Sequence, residues 1–101
     1  MVKNYNTRTH KQMTVVAYDI ASNKRRSHLV KLLEQYGTRI NYSVFECMLT
    51  RQQKTHIINS INDIIDHKKD QVALYTICVD CYAQTEYLPP QKTKPSIVVV
   101  S

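Results

Sequence analysis

The feature that most constrains the fold is an apolar run, residues 14–20, that contains a single carboxylate, at Asp19. A short, β-branched and otherwise uncharged run is typical of a strand that is buried on both faces. A carboxylate at the end of such a strand is costly to desolvate unless a cation meets it. Three positively charged residues follow within seven positions. The sequence therefore predicts a buried strand that delivers one acid into basic surroundings.

The size and composition of the chain indicate a single domain. Its 101 residues support one modest core, and 43% hydrophobic with 22% charged residues is typical of a globular protein. The formal net charge of +6 is partly due to Lys3, Arg8 and Lys11, because no acid precedes Asp19. This charge favours a polyanionic partner without requiring one.

Several observations predict a cytoplasmic protein that does not enter a membrane. No apolar run is long enough to span a bilayer, and the first residues lack the apolar core of a secretory signal. The three cysteines, an odd number, fit a reducing compartment.

The first predicted helix follows the buried strand. Ser22 is a suitable N-cap for a helix over residues 23–36, which carries an apolar stripe at helical spacing. Gly37, the only glycine, follows directly. We expect it to be the left-handed residue that ends this helix.

The remaining elements alternate between extended and helical patterns. Residues 39–49 form an extended region, either one bent strand or a hairpin, with strict alternation from Ser43 onward. Thr50 and Gln53 fit a capping box that starts a helix ending near residue 66. Residues 71–79 form another β-like segment, and residues 81–88 are expected to add a short strand or loop.

The order of these elements predicts an α+β fold, a ferredoxin-like βαββαβ sandwich. Both helices would cover one face of the sheet, so the other face needs a partner, for which a second copy of the chain is the natural candidate. The apolar segment 96–100 is an extra C-terminal strand for such a dimer. The predicted organisation is a flexible arm at 1–12, a domain at 13–88, and a linker with the dimer strand at 89–101.

Two interpretations of Asp19 are open from the residues alone. A single carboxylate binds Mg²⁺ weakly, and the nearest other acid in the sequence is Glu46. A two-fold axis would bring two Asp19 side chains to one ion, which could activate water against a phosphodiester. The alternative, favoured by residue type, is an anion at a helix N-terminus or a salt bridge to Arg25 or Arg26.

The basic and aromatic residues around this position also allow two interpretations. The cationic residues would hold phosphates, or they form a solvated first turn of the helix, where positive charge opposes the helix dipole. The aromatic residues would stack on bases or, more simply, pack in the core. The basic residues are Lys24, Arg25, Arg26, Lys31 and Arg39, and the aromatic residues are Tyr18, Tyr42 and Phe45.

Cys78 and Cys81 form a C-x-x-C motif. Zinc would require two further ligands. A thioredoxin-like motif opens a helix, whereas this one follows a strand, so a reduced structural pair is the favoured interpretation.

Several blocks of residues together resemble one known family. The run VVAYDI, then KRR, then a helix ended by glycine, then RINYSVFECMLT, is similar to CRISPR-associated protein two, the small subunit of the spacer-acquisition complex. The resemblance covers Met13 to about Cys81, and a C-terminal β-segment is also typical of the family.

The resemblance implies a fold, an activity and a site. The family has a ferredoxin-like fold and forms a symmetric homodimer in which the last strand packs on the partner's sheet. Its members are described as metal-dependent endonucleases that cut single-stranded RNA or double-stranded DNA, with Mg²⁺ or Mn²⁺ as the ion. Asp19 matches the metal-binding aspartate, one from each protomer. Arg26, Arg39 and Phe45 match residues that affect cleavage, Tyr18 and Ser43 lie in the same motifs, and His28 replaces an arginine of some members.

The resemblance also implies a protein partner. In the spacer-acquisition complex the dimer bridges two pairs of the integrase subunit, CRISPR-associated protein one, and supports the DNA between them. Nuclease activity is not needed for that role in every member. Three hypotheses follow: a Mg²⁺-dependent nuclease, a non-catalytic DNA-bridging subunit, and, outside that system, a toxin-like ribonuclease of the same fold.

Overall fold

The computed structural model of the chain describes residues 10–90. The elements, in order, are β1 (Gln12–Asp19), α1 (Asn23–Glu34), β2 (Gly37–Asn41), β3 (Val44–Leu49), α2 (Arg51–Ile64), β4 (Gln71–Ile77) and α3 (Val79–Ala83). Most of the predicted arm and the predicted C-terminal strand at 96–100 lie outside the described residues. Among residues 10–90, no helix combines the length and apolar character that crossing a membrane requires.

The strands form one antiparallel sheet in the order β2-β3-β1-β4. With one helix after β1 and another after β3, this arrangement confirms the predicted ferredoxin-like fold. β1 is paired on both edges. Its predicted burial on both faces is only partly confirmed, because Val16 and Tyr18 are buried, whereas Ala17 is half-buried and Asp19 is exposed on the opposite side. Residues 39–49, for which one bent strand or a hairpin was possible, form a hairpin that turns at Tyr42 and Ser43.

The core lies between the sheet and the two long helices. Alternate side chains of the strands point toward the helices, as the alternation after Ser43 predicted, and the capping box at Thr50 and Gln53 is present. We call this side of the sheet the helix face. Its buried apolar residues are Val16, Tyr18, Phe45, Cys47 and Leu49 from the strands, Ile20 after β1, and Leu29, Leu33, Ile57 and Ile61 from the helices.

The opposite side of the sheet, here the distal face, is covered at one end only. It carries Glu46, whose buried carboxylate accepts hydrogen bonds from the Tyr87 hydroxyl at 2.8 Å to each oxygen. Tyr82 of α3 and Met13 of β1 are buried at the same end. The other end of the face, where Asp19 lies exposed, is left open by residues 10–90.

The prediction that the C-x-x-C motif does not open a helix was wrong. Residues 79–83 form a short helix, so the motif does open a helix, with Cys78 as its N-cap. The Cys78 Sγ accepts a hydrogen bond from the Cys81 backbone N–H at 3.3 Å, and Asp80 places a negative charge in the first turn. Both contacts stabilise a helix start, and burial of Tyr82 adds apolar packing.

The prediction for Gly37 was also wrong. Gly37 begins β2 and does not adopt a left-handed conformation, since the helix already ends at Glu34. Glycine is needed because a Cβ at this position would collide with the backbone carbonyl oxygen of Glu46 and lie 2.7 Å from the Cys47 Cα and Sγ atoms. The constraint is the close approach of β2 to β3, which the sequence alone does not reveal.

We therefore expect Gly37→Ala to lower the free energy of unfolding by about 1–3 kcal/mol, because the added methyl group forces β2 and β3 apart. Chemical denaturation measures the change. Thr38→Ala, at the neighbouring exposed position of β2, should cost less than about 1 kcal/mol. Equal stability of Gly37→Ala and wild type would contradict the packing explanation.

Candidate nucleic-acid interface at the end of β1

Asp19 is the last residue of β1 and its side chain is exposed on the distal face. No hydrogen bond or salt bridge joins its carboxylate to another side chain of residues 10–90, so the predicted salt bridge to Arg25 or Arg26 does not form. The carboxylate opens into a cleft of about 420 Å³, the Asp19 cleft. The residues of this cleft are Tyr18, Asp19, Ile20, Arg26, Tyr42 and Ser43.

Arg25 is held by a different acid. Its Nε lies 2.7 Å from Asp70 Oδ2 and its Nη2 lies 3.1 Å from Asp70 Oδ1. Asp70 is buried and also accepts hydrogen bonds from the backbone N–H groups of Ala21 and Asp66. The Arg25 guanidinium and these donors hold the pKa of Asp70 well below its usual range. This ion pair accounts for Arg25 structurally, and it was missed from the sequence, where Asp70 is one acid in a charged turn.

Arg26 lines the same cleft as Asp19 and is fixed by one backbone and one side-chain acceptor. Its Nη2 donates a hydrogen bond to the Ile20 carbonyl oxygen at 2.6 Å, and its Nη1 donates to the Asn23 side chain. The guanidinium carbon lies 5.5 Å from the centre of the Tyr42 ring, within the range of a cation–π contact. Arg26 therefore lines the Asp19 cleft. Its effect on cleavage, which the resemblance implies, stays a prediction.

Arg39 reaches the same tyrosine from β2. Its Nη2 donates to the Tyr42 carbonyl oxygen at 2.9 Å, its Nε donates to the Asn41 carbonyl oxygen at 3.3 Å, and its guanidinium carbon is 5.4 Å from the Tyr42 ring centre. The Tyr42 side chain itself is 67% exposed. The fold thus gathers two arginines around one exposed aromatic ring next to Asp19.

Tyr18 and Phe45 do not reach a nucleic acid directly. They are 5% and 0% exposed, and their ring centres lie 6.3 Å apart within the core. Stacking on bases is therefore wrong for both residues, and core packing is confirmed. Tyr18 supports the site from the core. Its hydroxyl donates a hydrogen bond to the Tyr42 carbonyl oxygen at 2.9 Å, and its backbone N–H donates to the Ser43 carbonyl oxygen at 3.0 Å.

The other predicted site residues differ in position. Ser43 is half-buried and accompanies Asp19 in the cleft. Lys24 is exposed in the first turn of α1 and lines neither the Asp19 cleft nor its neighbours. His28 is exposed on α1. Glu46, the other acid considered for a metal, is occupied by Tyr87 at the covered end of the distal face.

One chain offers a single acid at this site. Within residues 10–90, no group of three or more His, Cys, Asp or Glu side chains lies close enough together to hold a metal ion. The cysteines do not change this: Cys47, Cys78 and Cys81 are free thiols, and burial raises the pKa of Cys47 to about 11. A metal site with two carboxylates would therefore need a second acid from another chain, since Asp19 is the one acid in the cleft among residues 10–90.

The fold and the site define a small ferredoxin-like domain with an exposed acid at the end of its central strand and guanidinium groups beside it. The family model described as CRISPR associated protein Cas2 matches residues 12–85. The chain therefore belongs to the Cas2 family of CRISPR-associated proteins, which confirms the family indicated by the YDI and SVFEC blocks and leaves the toxin-like alternative unsupported.

Individual proteins give the degree of similarity. A Rhodospirillum rubrum protein named CRISPR-associated endoribonuclease Cas2 4 is 33% identical over 80% of this chain, which spans 65% of that protein's length. The crystal structure of Streptococcus pyogenes Cas2 at pH 6.5 has a TM-score of 0.70 and 32% identity, covering 74% of this chain and 96% of the other. A chain in a partial Cas6-RT-Cas1–Cas2 complex has a TM-score of 0.68 and 25% identity, covering 88% and 99%.

The Arg25–Asp70 ion pair gives the stability of the domain a defined pH dependence. The folded-state pKa of Asp70 lies below its unfolded value, so its stabilising contribution is present above about pH 4 and is lost as the pH falls further. Asp70→Asn should lower the melting temperature at pH 7. The difference in melting temperature between this variant and wild type should shrink as the pH falls from 4 to 2. Thermal melts across this range measure both effects.

Asp63→Asn is the matched control for this prediction, because Asp63 is exposed on α2. It should leave the melting temperature at pH 7 within a degree or two of wild type. A constant difference between Asp70→Asn and wild type from pH 7 to pH 2 would mean that the carboxylate is not the stabilising group.

Proposed function

We propose that this protein is a homodimeric, metal-dependent endonuclease of CRISPR adaptation that cleaves single-stranded RNA, with double-stranded DNA as the alternative substrate. The observation that carries the proposal is the exposed Asp19 carboxylate, which has no partner among residues 10–90 and shares its cleft with the Arg26 guanidinium. The endoribonuclease name of the Rhodospirillum relative supports the choice of RNA.

The donor set at this site fits Mg²⁺ once two copies of the chain are considered. Mg²⁺ binds one or two carboxylates and keeps several waters or phosphate oxygens as further ligands. Asp19 is free for this role, whereas Asp70 and Glu46 are occupied. Two Asp19 side chains, one from each protomer, would hold the ion, with Mn²⁺ as a substitute. When bound, the ion would lower the pKa of a coordinated water and polarise the phosphodiester.

The residues of the chain itself would bind and orient the substrate. Arg26 and Arg39 present guanidinium groups near Asp19, and guanidinium is well matched to phosphate oxygens. Ser43 supplies a hydroxyl in the same cleft. Tyr18 holds the Tyr42–Ser43 turn from the core, and Phe45 packs beside the Tyr18 ring, so that these groups keep their position when the strand binds.

The open part of the distal face supports the proposed homodimer. Strand register places Ala17 of β1 beside Val44 and Ala73, and Val15 beside Tyr75, which is 57% exposed. These are small or apolar side chains on a surface that residues 10–90 leave uncovered. Packing of a second copy there would bury this surface and bring both Asp19 residues to one interface.

A second candidate function is supported by one specific observation. A chain of similar fold occurs in a partial Cas6-RT-Cas1–Cas2 complex. By analogy, this protein would bind a Cas1 integrase subunit and bridge DNA without cleaving it. Lys24 and the other exposed cations of α1 would then contribute to backbone binding rather than to catalysis.

Asp19→Ala separates the two functions. With Mg²⁺ present, we expect it to lower the rate of single-stranded RNA cleavage about 100-fold or more, because the metal ligand is lost. Gel-based cleavage of labelled RNA measures the rate, with Asp63→Ala as a control that keeps wild-type activity. Undiminished cleavage by Asp19→Ala would exclude the proposed site. Loss of spacer integration by a folded Asp19→Ala dimer would count against a purely structural role.

Ala73→Glu tests the dimer. A charge buried without a partner costs several kcal/mol, so the dimer Kd should rise about 100-fold or more. Size-exclusion chromatography with light scattering measures the mass. Ile58→Glu, on the partly exposed surface of α2, should stay dimeric. A dimeric Ala73→Glu variant, or a monomeric Ile58→Glu variant, would locate the interface elsewhere.

A further inference from the structure

A second cleft lies on the other side of the wall that bounds the Asp19 cleft. This α1 cleft has a volume of about 390 Å³ and runs between α1 and β2. Arg26 and Tyr42 line both clefts, so they form the shared wall. A strand that enters the Asp19 cleft can therefore continue across this wall into the α1 cleft. The side chains that matter here are Asn23, Arg26, Ser27, Lys31, Arg39 and Tyr42.

The charge of the α1 cleft suits an anion. Lys31 lines it from α1 and Arg39 from β2, with Arg26 in the wall, against a single acid, Glu34. Asn23 and Ser27 add neutral polar groups. Cations from two different elements that face one concave space raise the local concentration of a polyanion.

The arginines retain donors for a ligand. A guanidinium has five N–H donors. Arg26 uses Nη1 and Nη2 for Asn23 and Ile20, while Arg39 uses Nε and Nη2 for backbone carbonyl oxygens. The remaining N–H groups, including Arg26 Nε and Arg39 Nη1, make no hydrogen bond within residues 10–90. Each arginine is thus fixed in place and still able to donate.

Tyr42 is the residue that holds the two cations together. Two guanidinium groups within 5.5 Å of one ring centre repel each other, and the ring's negative face offsets part of that repulsion. The Tyr42 carbonyl oxygen adds an acceptor for Arg39. An arriving phosphate would neutralise the pair without requiring either side chain to move far.

We propose that the α1 cleft is a second phosphate subsite for the strand whose scissile bond lies at Asp19, and that Tyr42 is its positioning residue. The ligand is a phosphodiester of a single strand, held by Arg39 and Lys31, with Arg26 between the two subsites. The subsite rests on the proposed nucleic-acid function but not on catalysis. It extends the bound segment from the Asp19 cleft along α1.

The test measures binding without divalent metal, so that catalysis plays no part. Fluorescence anisotropy of a short labelled single-stranded RNA gives the Kd at several salt concentrations for the full chain. Lys31→Gln should weaken binding and reduce the slope of log Kd against log salt by about 0.7, the value for one lost phosphate contact on a single strand. Arg51→Gln removes an exposed charge at the opposite end of the sheet and should change neither quantity.

Substitutions of Tyr42 separate positioning from general stability. Tyr42→Leu should raise the Kd about three- to tenfold, because the ring that holds both arginines is lost. Tyr42→Phe keeps the ring and should bind like wild type. Circular dichroism confirms that each variant is folded. Equal weakening by Tyr42→Phe and Tyr42→Leu, or wild-type binding by Lys31→Gln, would overturn the proposal.

Single-stranded DNA of the same sequence identifies the group that is recognised. Equal weakening of RNA and DNA binding by Lys31→Gln supports the phosphate assignment, whereas weakening of RNA binding alone would assign the cleft to the ribose and overturn it. The outcome is distinct from that of Asp19→Ala. If Asp19 proves not to act in cleavage, the binding results for Lys31→Gln and Tyr42→Leu still stand. If the subsite proves wrong, the proposed metal site at Asp19 is unaffected.

Discussion

The arrangement of the site depends on one buried carboxylate. Asp70 accepts four hydrogen bonds, two from Arg25 and one each from the backbone N–H groups of Ala21 and Asp66. These donors belong to the turn after β1, to the first turn of α1 and to the loop before β4. One side chain therefore ties together the three segments that meet at the Asp19 end of the sheet. The orientation of α1, and with it the position of Arg26, follows from this junction.

A second set of contacts fixes the hairpin on the other side of the site. The Tyr18 hydroxyl and backbone N–H hold the carbonyl oxygens of Tyr42 and Ser43, and Arg39 donates to the same Tyr42 carbonyl. A two-residue turn without glycine or proline has little conformational preference of its own. Here the central strand supplies the missing constraint. The exposed tyrosine is thus presented by the core rather than by a loose loop.

The sequence predicts much of this architecture, and its errors have physical causes. The apolar run of β1, the capping box at Thr50 and the alternation after Ser43 are local signals, and each appears in the structure as expected. Gly37 was misassigned because its constraint is the backbone of Glu46 and Cys47, nine and ten residues further along the chain. Arg25 was grouped with its neighbours because its partner, Asp70, is distant in sequence. Signals that depend on tertiary contact are not visible in a local pattern.

The sequence predicts the position of Asp19 at the end of the central strand. It predicts the residues that surround Asp19 only in part. The run before it identified the strand and its end, and the resemblance identified the acid. The expectation of a desolvated carboxylate paired with a neighbouring arginine did not hold, because the strand ends at the surface and both arginines find other acceptors. The pairing of Arg26 and Arg39 around Tyr42 depends on side-chain packing between α1 and the hairpin.

The strand order has a consequence for the timing of folding. β1 lies between β3 and β4, and its pairing with β4 joins residues more than fifty positions apart, such as Asp19 and Gln71. Contacts between residues so far apart in sequence form late, because closing the long loop between them costs conformational entropy before the contact stabilises the chain. During synthesis the Asp19 edge therefore stays incomplete until nearly the whole domain has left the ribosome. A nascent chain would therefore carry the Asp19 carboxylate before Asp70 and β4 are available to complete this end of the sheet.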